Sequence, residues 1–289
     1  MIGLIGGTGL GEALFGEAHA HEHDIDTPFG KPSAPVRIIE WHGLQIATVA
    51  RHGVGHRYNP SQVPFRANIA AFKQLGVTHI LASGAVGSLR EEMHPRDLVI
   101  VDQVIDKTHR RPTTFYDDLA VHAEFAEPFC PVMRNTLKTA ASRVNSRVHE
   151  KGTYVCMEGP AFSTIAESNM HRAWGGDLIG MTVMPEAKLA REAEIAYAMV
   201  ALVTDYDCWK PHQPGTSKQA LLEEIIGHLK AATANAIALL RVAIEDLSKA
   251  KLPESPAHSA LELGIWSDRK HIAPATWQKY GALLKKYAS

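Results

Sequence analysis

Two aspartates, Asp205 and Asp207, close an apolar run that begins at Ala198 and predicts a buried strand. If the chain stays extended there, both side chains lie on one face, because side chains alternate along a strand. Two carboxyl groups at a pocket wall raise the affinity of at least one for a proton. A protonated aspartate donates to a ring nitrogen and an ionised one accepts from an amino group. A solvated loop end is the simpler alternative.

A basic pair, Arg51 and His52, ends a second apolar segment, residues 44–50. Arginine offers a planar fork of donors and histidine a ring donor, and both suit an oxyanion such as phosphate. Hydroxyl donors from Thr8 and Thr182 would complete such a site. Taken alone, an arginine and a histidine at a strand end favour a surface salt bridge over an anion site.

Three further segments contain residues that could bind a cofactor, a metal ion or a planar base. The loop Gly6-Gly7-Thr8-Gly9-Leu10-Gly11 lacks the third small residue of a dinucleotide fingerprint, so no such cofactor is predicted. His52 and His56 are four residues apart, but the intervening glycines disfavour a helix and therefore a metal pair, and no metal is predicted. Phe162 is placed to stack on a planar base, with Glu158 accepting hydrogen bonds nearby, although core packing also explains a phenylalanine.

Strand-like and helical segments alternate along the chain, which predicts an α/β fold: a single domain with a mixed, mostly parallel central sheet flanked by helices. Polar segments follow several predicted strands, and ligands of open α/β sheets bind at the carboxyl ends of strands. Residues 83–87 are predicted to form one such loop. The predicted strands are 1–5, 36–39, 44–50, 79–82, 97–105, 152–157, 178–181 and 198–204, and the predicted helices are 66–75, 131–143, one from 164, one from 185 and 217–247.

The chain has 289 residues, of which the domain is predicted to cover 1–247, with a linker at 248–258 and a C-terminal tail at 259–289 that packs on the domain or on a neighbouring subunit. Thirty basic residues balance thirty-one acidic ones, so no nucleic acid or anionic membrane is an expected partner. The amino terminus reads as neither a signal peptide nor a membrane span. Three widely spaced cysteines favour a reducing compartment, and we expect the protein to be cytoplasmic.

Several segments together resemble the trimeric purine nucleoside phosphorylase family, in detail its 5′-methylthioadenosine phosphorylase branch. They span residues 1 to about 245, and they are Gly6-Gly7-Thr8-Gly9-Leu10, Arg51-His52-Gly53, Gly87-Ser88-Leu89-Arg90-Glu91-Glu92, Arg111-Pro112 with Phe115-Tyr116-Asp117, Ala126-Glu127-Pro128-Phe129-Cys130, Glu158-Gly159-Pro160, Met181-Thr182 with Pro185-Glu186, and Thr204-Asp205-Tyr206-Asp207-Cys208-Trp209.

The resemblance implies a nucleoside phosphorylase fold and phosphorolysis of 5′-methylthioadenosine to adenine and 5-methylthioribose 1-phosphate, in purine and methionine salvage. It implies a homotrimer, with inorganic phosphate as co-substrate and no cofactor. The residues it assigns to phosphate are Thr8, Arg51, His52, Gly84, Ala85 and Thr182. It places Met181 against the ribose, Phe162 and Ser163 beside the base, and His122 in the 5′ pocket of a neighbouring subunit.

The two aspartates separate the branches of the resembled family. Asp205 is the candidate general acid toward purine N7, and Asp207 would accept a hydrogen bond from the 6-amino group. The sequence equally allows the reverse division of these two roles. Relatives that act on 6-oxopurines place an asparagine in this segment, so a 6-aminopurine is the expected base. A 6-oxopurine nucleoside phosphorylase acting on inosine or guanosine and a non-enzymatic nucleotide-binding module are the alternatives.

Two positions depart from the family pattern. Gly84 replaces a hydroxyl residue of the phosphate loop and leaves only its backbone amide, with Ser83 next to it as a substitute. Lys218 falls where an apolar residue usually faces the 5′-methylthio group. Together with Ser163, Lys218 is therefore a candidate specificity residue.

Overall fold

The structure, a computed structural model, describes residues 1–7, 20–211, 215 and 217–287. Within these residues eleven strands form one mixed sheet. They are β1 (Ile2–Gly6), β2 (His21–His23), β3 (Val36–Trp41), β4 (Leu44–Ala50), β5 (His79–Ser88), β6 (Leu98–Ile100), β7 (Gln103–Lys107), β8 (Val148–His149), β9 (Thr153–Met157), β10 (Leu178–Gly180) and β11 (Ala196–Asp205).

Parallel pairs predominate in this sheet. β1 lies between β4 and β5 and is parallel to both, and β11 is parallel to β5 from Ala196 opposite His79 to Asp205 opposite Gly87. The β3–β4 hairpin is antiparallel, as predicted, and so are the β5–β10 and β6–β11 pairs. The predicted α/β class with a mixed, mostly parallel sheet is confirmed.

Helices cover both faces of the sheet. They are α1 (Phe65–Gln74), α2 (Pro131–Ala141), α3 (Ile165–Ala173), α4 (Val183–Glu192), α5 (Lys218–Ser248) and α6 (Pro274–Leu284). Side chains alternate across a strand, so Leu4 joins the core beneath α2 and α5, whereas Ile5 joins the core beneath α1 and α4. The capping box that Thr164 and Glu167 predict at the start of α3 is confirmed.

The longest helix, α5, is capped by Ser217, whose hydroxyl accepts from the amide of Ala220 at 3.1 Å. Its buried residues are Ala232, Ala236, Leu239, Leu240, Ala243, Ile244 and Leu247. By length and hydropathy this helix also meets the criterion for a membrane span, with 22% of the apolar window buried. That is weak support for a span, because core helices of soluble proteins satisfy the same criterion.

Two predicted segments differ from the structure. Residues 83–87, predicted as a loop, continue β5, because backbone pairing with β11 from Ser83 to Gly87 keeps the chain extended. The predicted strand 97–105 is two strands: β6 pairs with β11 and β8, whereas β7 pairs with β9. Between them Asp102 turns inward and its carboxylate accepts from the amide of Gly152 at 2.8 Å.

The C-terminal residues contact the body of the molecule. Tyr280, Leu283, Leu284 and Tyr287 are buried in the same core as α1 and α4. The hydroxyl of Tyr287 donates to Glu194, which follows α4, at 2.5 Å. In the segment before them, the carbonyl of Pro253 lies 2.8 Å from Nε2 of His79 at the start of β5.

Candidate active site

A cavity of about 640 Å³ opens where β1, β4, β5, β9, β10 and β11 reach their carboxyl ends. Its volume is within the range of small-molecule sites. Ten of the predicted site residues line it: Arg51, His52, Gly84, Ala85, Phe162, Ser163, Met181, Thr182, Asp205 and Asp207. Thr8 lies outside the described residues. His122 and Lys218 are exposed and are not part of the lining.

One side of the cavity, which we call the basic end, is formed by Arg51, His52 and Thr182. The guanidinium of Arg51 is 1% exposed and is held by Glu186 of α4 through two bonds, Nε to Oε2 at 2.7 Å and Nη2 to Oε1 at 2.8 Å. Its Nη1 donates to the carbonyl of Ser83 at 2.8 Å. At least three of its five N–H groups are thus engaged within the protein.

Tyr197 of β11 completes this buried group, because its hydroxyl donates to Oε1 of Glu186 at 2.8 Å. Burial acts to lower the pKa of Arg51, but the charge and hydrogen bonds of Glu186 outweigh it and raise the pKa further. Arg51 is therefore permanently charged, and its orientation is fixed before any ligand binds. Its positive charge is balanced by the neighbouring carboxylate.

The His52 ring is held by the chain that follows it. Nδ1 lies 2.8 Å from the carbonyl oxygen of Tyr58, and the ring stacks on His56 at 4.2 Å between centroids. Burial lowers the pKa of His52 to about 4, with the charge of Arg51 acting in the same direction. The ring is therefore neutral at neutral pH. The ring donor predicted for an oxyanion is instead engaged by Tyr58, and the other nitrogen, Nε2, is left for the cavity.

Thr182 and Gly84 face each other across the basic end. A Cβ added to Gly84 would lie 3.2 Å from Oγ1 of Thr182 and 3.1 Å from Cε of Met199, so the site has little room for a larger residue. The amide of Thr182 donates to the buried hydroxyl of Tyr154 at 3.5 Å. Because residue 84 is a glycine, it contributes only backbone groups to the cavity.

The opposite side, which we call the acidic end, is formed by Asp205 and Asp207. The pairing of β11 with β5 shifts between Val203 and Asp205, so that an extra residue bulges out of the ladder, and such bulges re-aim side chains. A larger residue than glycine would be crowded opposite the bulge. A Cβ on Gly87 would lie 3.1 Å from Oδ1 of Asp205 and 3.2 Å from Cβ of Asp207.

Asp207 does not continue the strand. Its φ is 51°, in the left-handed region, so the extended conformation that would place both aspartates on one face of a strand is not adopted. The chain turns because the amide of Asp207 donates to Oδ1 of Asp205 at 2.7 Å, a local bond that aspartate side chains favour at turns. The turn brings both carboxyl groups into the cavity wall.

Neutral donors hold the two carboxylates. Oδ2 of Asp205 accepts from the hydroxyl of Thr204 at 2.7 Å, and Oδ2 of Asp207 accepts from the hydroxyl of Ser168 at 2.5 Å. Within the described residues, neither aspartate forms an ion pair with lysine, arginine or histidine. The acidic end is therefore uncompensated in charge, in contrast to the basic end.

The rim between the two ends is apolar. Phe162 is 85% exposed at the cavity mouth, and Ser163 is linked to Cys208 through a thiol donating to the Ser163 carbonyl at 3.3 Å. Helix α5 adds Ile225, Leu229 and Thr233. Among the described residues, no group of three or more histidine, cysteine or acidic side chains is arranged to hold a metal ion.

Comparison with known proteins agrees with this geometry. The sequence profile of the phosphorylase superfamily matches residues 1–245. A protein from Synechocystis named S-methyl-5'-thioadenosine phosphorylase is 47% identical, over 99% of this chain and 87% of its own length. This chain belongs to the phosphorylase superfamily, in its methylthioadenosine phosphorylase branch.

Solved structures of this branch share the fold. A methylthioadenosine phosphorylase from an Antarctic soil metagenomic library superposes with a TM-score of 0.90 and 43% identity, over 98% of each chain. The Schistosoma mansoni methylthioadenosine phosphorylase, in complex with adenine, gives a TM-score of 0.83 and 33% identity over 92% of this chain and 99% of its own. The resemblance drawn from the sequence motifs is confirmed.

Two residues from motifs of this phosphorylase branch, Arg111 and Glu158, lie behind the cavity. Arg111 is buried, and its Nη1 donates to the carbonyls of Met181 and Met184 at 2.6 Å each. Its Nη2 donates to the carbonyl of Glu158 at 2.5 Å, and its Nε to Oε1 of Glu158 at 3.2 Å. One guanidinium thus joins the backbone before Thr182 to the backbone before Phe162.

Glu158 is not among the residues that line the cavity, and its carboxylate accepts hydrogen bonds from protein groups. Its Oε1 accepts from Ser61 at 2.5 Å, and Oε2 accepts from the amides of His109 at 2.8 Å and Arg110 at 3.2 Å. Burial acts to raise the pKa of Glu158, but these bonds and Arg111 outweigh it and lower the pKa to about 2. Glu158 is an ionised positioning residue.

Sequence reasoning assigned no role to Glu186, Tyr197 or Ser168. Glu186 lies 135 residues beyond Arg51, and a pair so distant has no local periodicity. A buried position is nevertheless visible in the sequence, because Glu186 stands within the apolar stretch of α4. A charged residue on a buried helix face requires a partner of opposite charge. That requirement indicates that a basic partner exists, but not that it is Arg51.

Proposed function

We propose that this protein cleaves 5′-methylthioadenosine with inorganic phosphate, releasing adenine and 5-methylthioribose 1-phosphate. It would act as a pentosyltransferase in purine and methionine salvage. Family membership supports this activity, because relatives covering nearly the whole chain are named S-methyl-5'-thioadenosine phosphorylase. A related structure contains methylthioadenosine, and another contains adenine.

The observation that carries the proposal is the pairing of a basic end and an acidic end in one cavity. Arg51, His52 and Thr182 face phosphate in this proposal, together with the backbone of Gly84 and Ala85 and with Thr8. Asp205 and Asp207 face the base. Met181, Phe162 and Ser163 lie between them in the cavity wall, where ribose and purine ring would be held.

In the proposed reaction, a phosphate oxygen forms a bond to C1′ while the bond from C1′ to N9 breaks. The electron pair of the broken bond moves onto the purine, and the transition state has oxocarbenium character. The protein contributes by holding phosphate in line and by stabilising the charge on the departing base. Asp205 supplies a proton to N7, so that adenine leaves as a neutral molecule.

Asp207 receives the 6-amino group in this scheme, and the reverse division of roles between the aspartates is the alternative. An ionised carboxylate facing a 6-oxo group sets two acceptors against each other, which costs about 1 to 3 kcal/mol. A 6-oxopurine nucleoside phosphorylase is therefore the disfavoured alternative. Asparagine, which both donates and accepts, would suit that substrate.

Further parts of the proposal concern assembly and location. We propose a cytoplasmic homotrimer that needs no cofactor, with the domain at 1–247, a linker at 248–258 and a tail at 259–289. Its partners are small molecules, the nucleoside and phosphate. In this trimer His122, whose ring lies 4.5 Å from that of Trp266 between centroids in a tilted arrangement, reaches the 5′ pocket of a neighbouring subunit. Lys218, at the first turn of α5, would influence selectivity for the 5′ substituent.

A substrate comparison tests the proposal. Base release from methylthioadenosine, adenosine and inosine is measured with and without phosphate. We expect methylthioadenosine to be the best substrate and release to require phosphate. Inosine as the best substrate would overturn the choice of base, and release without phosphate would overturn the phosphorolysis. If no purine nucleoside is cleaved, a non-enzymatic nucleotide-binding module becomes the better description.

A further inference from the structure

The tautomer of His52 is fixed by its surroundings. A carbonyl oxygen only accepts hydrogen bonds, so Nδ1, at 2.8 Å from the Tyr58 oxygen, must carry the hydrogen. In the neutral imidazole Nε2 then has a lone pair and no hydrogen. Within the described residues no protein group hydrogen-bonds to Nε2, and the ring lines the cavity. His52 thus presents an acceptor, whereas every other polar side chain of the basic end offers a donor.

The groups around the ring keep it neutral. Burial lowers the pKa of His52, and Arg51 and His56 lower it further, against a smaller opposing effect of Tyr58 and Glu186. Arg51 adds no net charge to attract an anion, because Glu186 pairs with it through two hydrogen bonds. An oxyanion at this end of the cavity therefore meets donors from Arg51 and Thr182 and one lone pair from His52.

Tetrahedral oxyanions differ in how they satisfy that lone pair. Phosphate at neutral pH retains at least one proton, so one of its oxygens donates to Nε2 while the others accept. Sulfate carries no proton. Its oxygen would oppose the lone pair directly, or His52 would have to take up a proton from solvent against the effect of burial.

We propose that Nε2 of His52 accepts a hydrogen bond from the protonated oxygen of hydrogen phosphate and thereby selects phosphate over sulfate. This inference rests on the proposed function, in which phosphate binds at the basic end. It makes His52 a specificity-determining residue for the anion and reverses the donor role that its residue type suggests.

An anion series on the unmodified protein provides the test. In the release of adenine from methylthioadenosine, arsenate replaces phosphate as the attacking anion and its KM is compared with that of phosphate, whereas sulfate is measured as a competitor of phosphate, at neutral pH and constant ionic strength. Arsenate is larger than phosphate but carries a proton, whereas sulfate is similar in size and carries none. We expect arsenate to bind within about threefold of phosphate and sulfate to bind about tenfold or more weakly, the cost of opposed acceptors.

Two variants separate the role of the ring from its packing. His52→Gln replaces Nε2 with an amide that also donates, so the preference for phosphate over sulfate should fall toward equality. His271→Gln changes an exposed histidine that pairs with Asp268 at 3.1 Å on the surface, and it should leave the preference as in the wild type. Titration calorimetry with each anion, without nucleoside, measures the same preference independently of turnover.

The outcomes are distinct. Sulfate binding as tightly as phosphate to the wild-type protein would overturn the inference, even if cleavage requires phosphate. Sulfate binding that strengthens relative to phosphate binding as the pH falls would support it, because sulfate needs protonation of His52 and phosphate carries its own proton. Absence of phosphate-dependent cleavage would overturn the proposed function, and calorimetry would still measure the anion preference. If His52→Gln does not fold, the wild-type anion series decides.

Discussion

The two ends of the cavity treat charge in opposite ways. At the basic end the buried guanidinium of Arg51 is paired with Glu186 through two hydrogen bonds. Behind the cavity the buried Arg111 is paired with Glu158 through one hydrogen bond of 3.2 Å and otherwise donates to backbone carbonyls. At the acidic end Asp205 and Asp207 are held only by hydroxyl and amide groups. The cations are thus fixed and neutralised, while the two aspartates have no fixed counter-charge among the described residues.

This difference fits the roles proposed for the two ends. A residue that orients an anion gains from rigidity, and a bidentate ion pair supplies rigidity. A residue that exchanges a proton with a base must change its charge during the reaction, and a buried arginine partner would oppose protonation. Hydroxyl and amide donors also orient a carboxylate, but they favour its ionised form less strongly than an arginine partner would.

Removal of the partner of Arg51 should have the largest effect. Glu186→Gln leaves a buried guanidinium without its counter-charge, so we expect the free energy of unfolding to fall by about 3 to 5 kcal/mol. Added phosphate should restore more stability in this variant than in the wild type, because it supplies the missing negative charge. Denaturant unfolding with and without phosphate measures both effects.

The matched control is Asp117→Asn, which breaks the partly exposed ion pair with Arg66, 2.8 Å in length. It should change stability by about 1 kcal/mol or less, as surface pairs do. Equal losses in Glu186→Gln and in the control would contradict the view that the basic end depends on a buried, neutralised pair.

A third carboxylate, Glu192 at the end of α4, sharpens the comparison because it is buried and accepts from the amide of Phe115 at 2.8 Å. Burial raises the pKa of Glu192 to about 7, with the Phe115 bond opposing. A pKa raised above its unfolded value means that stability is complete at acidic pH and is lost as the pH rises through about 7.

Glu192→Gln removes that loss. Above pH 7 the variant should unfold with a free energy roughly 2 to 3 kcal/mol greater than the wild type, and below about pH 4 the two should be equal. Unfolding measured across this pH range provides the test. A constant difference at every pH would show that packing, not ionisation, distinguishes the two proteins.

Asp205→Asn tests the acidic end directly. An amide cannot supply the proton to N7, so kcat/KM for adenine release from methylthioadenosine should fall at least tenfold, about 1.4 kcal/mol. Relative activity on inosine should rise, because the amide both donates and accepts. Asp246→Asn, which alters a carboxylate paired with Arg143 on the outer surface, should leave both rates unchanged. Unchanged relative rates in Asp205→Asn would rule out its proposed role.

The sequence predicted most elements of the fold because the apolar periods of its strands and helices are strong. It failed at Ser83–Gly87, where a serine and two glycines are typical of turns. Their extended conformation is imposed by pairing with β11, and their small size lets Met199, Thr182 and Asp205 approach closely. Non-local pairing overrode local propensity at that position.

Within the candidate site, the sequence motifs identified residues that line the cavity. They did not identify the residues that orient those side chains through hydrogen bonds. Residue spacing does not predict the bulge before Asp205 or the left-handed backbone of Asp207. A bulge depends on the register with the neighbouring strand, and the sequence of one strand does not contain that register. Similarly, Thr164 and Glu167 predicted the start of α3 correctly, yet nothing in that capping pattern indicated that the next buried residue, Ser168, reaches Asp207.

Ser168→Ala should have the smallest effect and tests whether a hydroxyl orients the acidic end. Ser168 is fully buried, and its hydroxyl donates to Asp207 at 2.5 Å. Loss of one such bond costs about 1 kcal/mol, so we expect KM for methylthioadenosine to rise about fivefold. KM for phosphate should stay constant, because the basic end is held by Glu186. Ser168→Thr, which keeps the hydroxyl, should recover nucleoside affinity, and equal rises in both KM values would indicate a general structural defect instead.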